Sequence, residues 1–309
     1  MILELPGVVS RLISLPPQER PLCFVAVHSA KAVFLGFREG CWDPQFVVTV
    51  RSEEEVTRLH EILSRLCRMI PTFTAESLAR TRLHDDQFIH VQSAIPGMPW
   101  ASLAGSLGPG DQRRLYTQAL DLLRELHAAI DAVPPWHAQV SPSDELRRQL
   151  DLCAKHGITL SPDVLRFAES CVESLAELGE LVCHWQHGDF CADNLMVAGT
   201  EVRIFDFDEF GLTAMPLHDE FALALSVHEL GVADRGRTSA AEHVQTCVAA
   251  AIRARPHLAG HLRSLFVHHL LWHLNLRHGQ PARAARMKTV LRELEQFAAA
   301  PGKYIPSSP

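Results

Sequence analysis

The sequence predicts an α+β chain in two parts, a small β-rich amino-terminal lobe and a larger helical carboxy-terminal lobe. Three observations predict it. At about 150 residues per domain, 309 residues suggest two domains or two lobes. Short β-rich runs dominate the first hundred residues. From about Asp111 onward, apolar residues recur at three- and four-residue steps instead, as amphipathic helices require.

The β-rich runs are LCFVAV (22–27), AVFLGF (32–37), FVVTV (46–50) and QFIHVQSAI (87–95), bounded by turn formers such as Arg38-Glu39-Gly40 and Asp43-Pro44. Between the third and fourth runs a helix is expected. Ser52 can cap it, Glu53, Glu54 and Glu55 suit its first turn, and Val56, Leu59, Ile62, Leu63 and Leu66 fall on one face. Helices are further expected over 115–130, 144–156, 162–179, 216–230, 239–254, 258–277 and 281–299. A boundary near Pro96-Gly97 divides residues 1–95, the β-rich lobe, from 96–309, and the tail PGKYIPSSP is expected to be loose.

Composition narrows the class. A hydrophobic share of 47% and a charged share of 21% exclude wholesale disorder. With 29 basic and 36 acidic residues the net charge is −7, which argues against nucleic acid as a partner. No uncharged apolar run reaches membrane-spanning length, and the amino-terminal stretch, interrupted by Glu4 and Arg11, lacks a signal-peptide layout. Eight scattered cysteines with no C-x-x-C pair read as reduced thiols of a cytoplasmic protein. Among eighteen histidines, His269 and His273 stand four apart in VHHLLWHLN, a spacing that zinc sites use. The glutamate of HExxH is missing and the surrounding Leu and Trp residues read as a packed helix. Trp185 reads as core. RARPHLAGHLR and RHGQPARAARMK read as solvated helix faces.

One stretch departs from the helical background: CHWQHGDFCADNLMVAGTEVRIFDFDEFG (183–211). NLMVA and VRIFDF are short strands, and Gly199-Thr200-Glu201 between them is a tight turn. With the turn centred near residue 200, facing residues have numbers that sum to about 400, so Asn194 is expected across from Asp206. Asp189 lies five residues before Asn194. An amide oxygen and two carboxylates so gathered suit a hard divalent cation, which takes one or two protein carboxylates together with phosphate oxygens and water. Asp189 can stay outside that shell and accept a proton from a hydroxyl.

HGDFCADN followed by IFDFDEFG resembles the catalytic loop and metal segment of the aminoglycoside phosphotransferase and choline-kinase group, whose fold is two-lobed and protein-kinase-like. The likeness is strongest over 183–225. It extends to VQSAIPGMPW (91–100), similar to the strand and inter-lobe linker of the adenine pocket, and to LYTQALDLLRELHAAI (115–130), similar to the helix before the catalytic region. The resemblance implies ATP and Mg2+ as cofactors and a small hydroxyl-bearing molecule as acceptor: an aminoglycoside, amino alcohol or sugar. It implies Asp189 as the catalytic aspartate, Asn194 and Asp206 as magnesium ligands, and His187 as a structural member of the loop. Asp219 in LHDE would brace the loop, Asp208 would reach a second metal or face water, and Gln92, Ala94 and Ile95 would line the nucleotide pocket.

The amino-terminal lobe departs from the pattern. Where the family carries a phosphate-contacting lysine, this sequence has Thr49. Arg51, two residues on and therefore on the same strand face, or Lys31 on a neighbouring strand, is expected to supply the charge. Glu55, or Glu54, matches the partner glutamate. Neither GxGxxG nor GxxxxGK[ST] occurs. These departures leave two readings, an ATP- and Mg-dependent kinase and a catalytically silent, kinase-like binding module.

Overall fold

The computed structural model describes residues 5–13, 16, 23–27, 32–71, 74–84, 86–232, 239–279, 284–303 and 305. Lys31, Leu22, the start of the 281–299 helix and the end of the tail lie outside them. The chain divides into two compact units. The first gathers residues 1–107, 117–129 and 192–208, and the second gathers 108–116, 130–191 and 209–309. This differs from a single cut near residue 96, because the 192–208 hairpin groups with the sheet and not with the helices.

The first unit is built on a five-stranded antiparallel sheet of β1 (Cys23–Val27), β2 (Ala32–Phe37), β3 (Phe46–Arg51), β4 (Ser77–His84) and β5 (Gln87–Ser93), in the order β1-β2-β3-β5-β4. All four expected β-rich runs are strands. Strand alternation sends Phe46 and Val48 to one face, where they bury with Phe24, Phe34, Ile89 and Val91 against Leu5 and Val9 of α1 (Leu5–Leu12). Thr49 and Arg51 point to the opposite face. The long helix α2 (Glu53–Met69) is the one expected, closed by a capping box in which Ser52 and Glu55 bond each other's backbone N–H.

Two elements of this unit escape the apolar pattern. β4 carries Arg80 and Arg82 because it is an edge strand, where charge blocks further pairing. Helix α1 opens with Pro6 and Gly7, poor helix formers except in the first turn. Past β5 the chain forms β6 (Met98–Pro99) and α3 (Trp100–Leu103). β6 pairs with β9 (Leu195–Ala198), and β9 with β10 (Glu201–Ile204), in a separate three-stranded sheet. Gly97, at φ 105°, lies so close to β9 that a Cβ would collide with the Val197 carbonyl oxygen.

Helix α4 (Pro109–Asp131) contributes residues to both units. The second unit adds α5 (Pro142–Lys155), α6 (Pro162–Ala176), α7 (His218–Glu229), α8 (Ala240–Ala254), α9 (Leu262–Leu276) and α10 (Ala284–Ala299), close to the expected spans. A short ladder of β7 (His137–Val140) and β8 (Leu181–His184), not expected from sequence, precedes the HGD loop. Helices α7 and α9 are buried over nearly their whole length, so their apolar residues surround the axis instead of forming a stripe. No disulfide joins any of the eight cysteines. Among the described residues no helix is long and apolar enough to cross a membrane.

Candidate functional site

The HGD loop belongs to the helical unit, and its shape is fixed by its backbone. The carboxylate of Asp219, fully buried in the first turn of α7, accepts from the N–H of His187 at 2.8 Å and of Gly188 at 2.9 Å. The Asp219 carboxylate thus holds two consecutive loop amides. Gln186 Oε1 accepts from the Asp219 N–H at 3.3 Å, and Nε2 of His218 meets the Gly188 carbonyl oxygen at 3.1 Å. Burial drives the His218 imidazole down to about 4, so it is neutral at physiological pH and Nε2–H donates to that carbonyl. Gly188 is required twice over: its φ is 90°, and a Cβ would stand 2.7 Å from the Glu209 carbonyl oxygen.

His187 is buried, its Nδ1 accepting from the Asp189 N–H at 3.4 Å. Asp189 stays partly exposed, and Arg277 reaches its Oδ1 at 3.4 Å. Arg277 opens the RHGQ segment that reads from sequence as a solvated basic face. It is 7% exposed instead, because it caps α9 beneath this loop. Nothing in its local pattern marks it, since the contact spans 88 positions. Trp185 is half-buried, packs edge-on against Phe210 and lines a cavity of about 340 Å³ with Asp144, Glu145, Arg148, Thr213 and Met215.

Every residue expected to hold nucleotide and metal lies in the other unit. β9 and β10 are joined by a two-residue turn with Gly199 at φ 61° in first position, as a type II′ turn asks. The register pairs Ala198 with Glu201, so facing numbers sum to 399 and not 400. Asn194 therefore faces Phe205, and the Asn194 carbonyl oxygen accepts from the Phe205 N–H at 3.1 Å. Asp206 comes one residue later. Its φ of 59° is left-handed, rare for a non-glycine residue, and it leaves the carboxylate exposed. Asn194 itself is buried.

Arg51 ends β3 and approaches the same segment. Its guanidinium bonds both oxygens of Asp208, at 2.6 and 3.0 Å, with both side chains 12% exposed. Burial lowers its pKa, and Asp206 and Glu55 are the acidic groups that oppose that shift. Asp208 thus does not face water, one of the two outcomes expected for it, because Arg51 takes its carboxylate. Arg58 on α2, which sequence reasoning did not single out, donates to the Asp208 carbonyl oxygen at 3.2 Å. Glu55 accepts from the Ser52 N–H at 3.1 Å and from its hydroxyl at 2.7 Å.

Thr49, in the lysine's place, is buried, and no partner for its hydroxyl is found among the described residues. It faces His90 across the β3–β5 ladder. His90 is held by a relay of two 2.7 Å hydrogen bonds through Ser77 to His60, and burial lowers its pKa to about 3, with His60 and Arg51 adding to the effect. Gln92 pairs with Val47, the Ala94 N–H donates to Gln45 at 2.9 Å, and Ile95 is buried as the linker leaves the sheet.

The model of the phosphotransferase enzyme family matches residues 40–257, well over half of the sequence. The chain belongs to that family. It is a phosphotransferase acting on hydroxyl groups, with the family's kinase-like α+β fold, and the match spans both the Arg51 strand and the HGD loop. No curated protein sequence matches it. Among solved structures it is similar to a thermostable mutant of aminoglycoside phosphotransferase APH(4)-Ia in a ternary complex with AMP-PNP and hygromycin B, at 12% identity and a TM-score of 0.65, covering 96% of this chain and 98% of that one. A GDP complex of aminoglycoside 2′-phosphotransferase-IIIa matches at 13% identity and 0.63, covering 98% of each. The gentamicin complex of APH(2″)-IIa matches at 17% and 0.56, covering 99% of each. At these identities the likeness establishes the fold.

Proposed function

We propose that the phosphoryl donor is ATP, used with Mg2+, and that the acceptor is a hydroxyl of a small molecule. The observation that carries this reading is Asp206. An exposed carboxylate is held in a left-handed backbone conformation just past a ladder, beside Asn194 and within the field of Arg51. Such strain persists where the surroundings over-determine it, typically where a ligand is to be met. The oxygen donors of Asp206 and Asn194 fit magnesium, which when bound neutralises charge on the phosphates. Arg51 and Arg58 supply the cations that Thr49 does not.

Phosphoryl transfer passes through a loose transition state, so the protein's task is positioning and charge neutralisation. On this reading Asp189 orients the acceptor hydroxyl and takes its proton, while the hydroxyl oxygen bonds the transferred phosphorus and that phosphorus's bond to the ADP oxygen breaks. Arg277 keeps the Asp189 carboxylate aligned. The cavity beside Trp185 has Asp144, Glu145 and Arg148 in its wall, with Glu145 paired to Arg148 at 2.7 Å, and suits a polar acceptor. The nucleotide and antibiotic complexes of the similar structures support the same donor and acceptor classes.

ATP consumption measured against a panel of aminoglycosides, amino alcohols and sugars tests the proposal. Magnesium-dependent turnover with at least one member, abolished in Asp189→Ala with nucleotide binding nearly intact, is the expected result. Absence of turnover across the panel counts against the proposal and favours the silent binding module, the reading to which Thr49 points.

A further inference from the structure

Three histidines of the helical unit converge behind the HGD loop. His269 and His273 lie one turn apart on α9, and His218 at the start of α7 brings a third imidazole to them. One ring nitrogen of each lies within 4.8 Å of the others, and the side chains are only 1, 2 and 5% exposed for His218, His269 and His273. Nδ1 of His218 stands 3.4 Å from Nδ1 of His269. That is long for a hydrogen bond from nitrogen, which prefers about 2.7–3.2 Å. It matches the edge of a tetrahedron around a metal with bonds near 2.05 Å, roughly 3.3 Å. On His218 the other nitrogen is engaged by the Gly188 carbonyl, the outer bond that fixes the tautomer of a metal-bound histidine and turns the Nδ1 lone pair inward.

We propose that His218, His269 and His273 bind one divalent transition-metal ion, zinc by its preference for imidazole nitrogen and tetrahedral geometry. Magnesium, which asks for oxygen donors, is excluded by the same chemistry. The buried Asp219, next to His218 in sequence, and Asp189 supply negative charge to the site, opposed by Arg277. Rings of Phe221, Phe266 and Trp272 wall it. The fourth position is left for water. An ion here ties α7 and α9 to the carbonyl immediately before Asp189. From sequence the α9 pair reads as packing, and the third ligand comes from a helix about fifty residues away.

The test uses the full chain, stripped with a chelator and titrated with Zn2+ against a chromophoric competitor, with Co2+ as a spectroscopic probe. The expected result is one equivalent of Zn2+, an intense tetrahedral Co2+ spectrum, and affinity reduced by at least about 100-fold in His269→Gln and His273→Gln. His278→Gln, in the separate stacked His156–His278 pair, is expected to bind as the parent does. No uptake by the parent, or uptake that survives both substitutions, overturns the proposal. Should the variants fail to fold, the parent's Co2+ spectrum decides: weak octahedral bands overturn the site, intense tetrahedral bands sustain it.

Discussion

Gly188 and His90 show how single residues set the conditions for the rest. Gly188 holds a φ of 90° and sits against the Glu209 backbone, so Gly188→Ala adds both backbone strain and a 2.7 Å contact. The expected cost is about 1–3 kcal/mol, read as a lower denaturation midpoint, together with a fall in kcat because Asp189 is the next residue. His90 governs the pH response of the sheet. Its folded pKa of about 3 lies below the usual value, so the unfolded chain takes up a proton that the folded one refuses. Stability from this group is full above about pH 6.5 and declines as pH falls toward 3. Between pH 6.5 and 5 the loss is roughly 2 kcal/mol, and denaturant titrations of His90→Gln are expected to show a shallower decline. At this scale the gathering of Asp189 and Asn194 is legible from spacing, because the loop joining them is local, whereas His187 and Asp219 come only from the family resemblance. Arg58 and Arg277 are not legible, because each acts on a residue at least 88 positions away.

The element that does most for the loop is the first turn of α7. Asp219 accepts two backbone N–H groups from inside the protein, and its neighbour His218 donates to the Gly188 carbonyl that follows them. Asp219→Asn keeps the shape but turns an N–H donor toward one of those amides. A loss of about 1–3 kcal/mol in stability and a lower kcat at nearly unchanged KM for nucleotide are expected, measured by thermal denaturation and steady-state kinetics. The β9–β10 hairpin was foreseen from its turn residues, yet its register was off by one. The turn has two central residues, not three, and that single position separates a cross-strand pairing of Asn194 with Asp206 from the observed step past Phe205. Strand β4 was missed for a physical reason as well: an edge strand is protected by the charges that hide it from an apolar pattern.

For the whole molecule, the division of labour is the informative fact. One unit holds Arg51, Glu55, Gln92, Ala94, Ile95, Asn194, Asp206 and Asp208, and the other holds His187, Asp189 and Asp219. On the proposed reading the donor and acceptor chemistries are thus expected to be separable by mutation. Fold class was readable because periodicity changes sharply along the chain. The unit boundary was not, because β6 draws residues beyond 96, and the hairpin, into the first unit through ladder bonds that no local pattern reveals. The central claim is tested most directly by the thermal shift of the parent, Asp189→Ala and Asp206→Ala with ATP, with and without magnesium. At a hundred times the dissociation constant the parent and Asp189→Ala are expected to gain about 2.7 kcal/mol only when magnesium accompanies ATP, and Asp206→Ala to lose most of that gain. An equal response of Asp206→Ala and the parent, or no response of the parent to ATP with magnesium, would contradict the account.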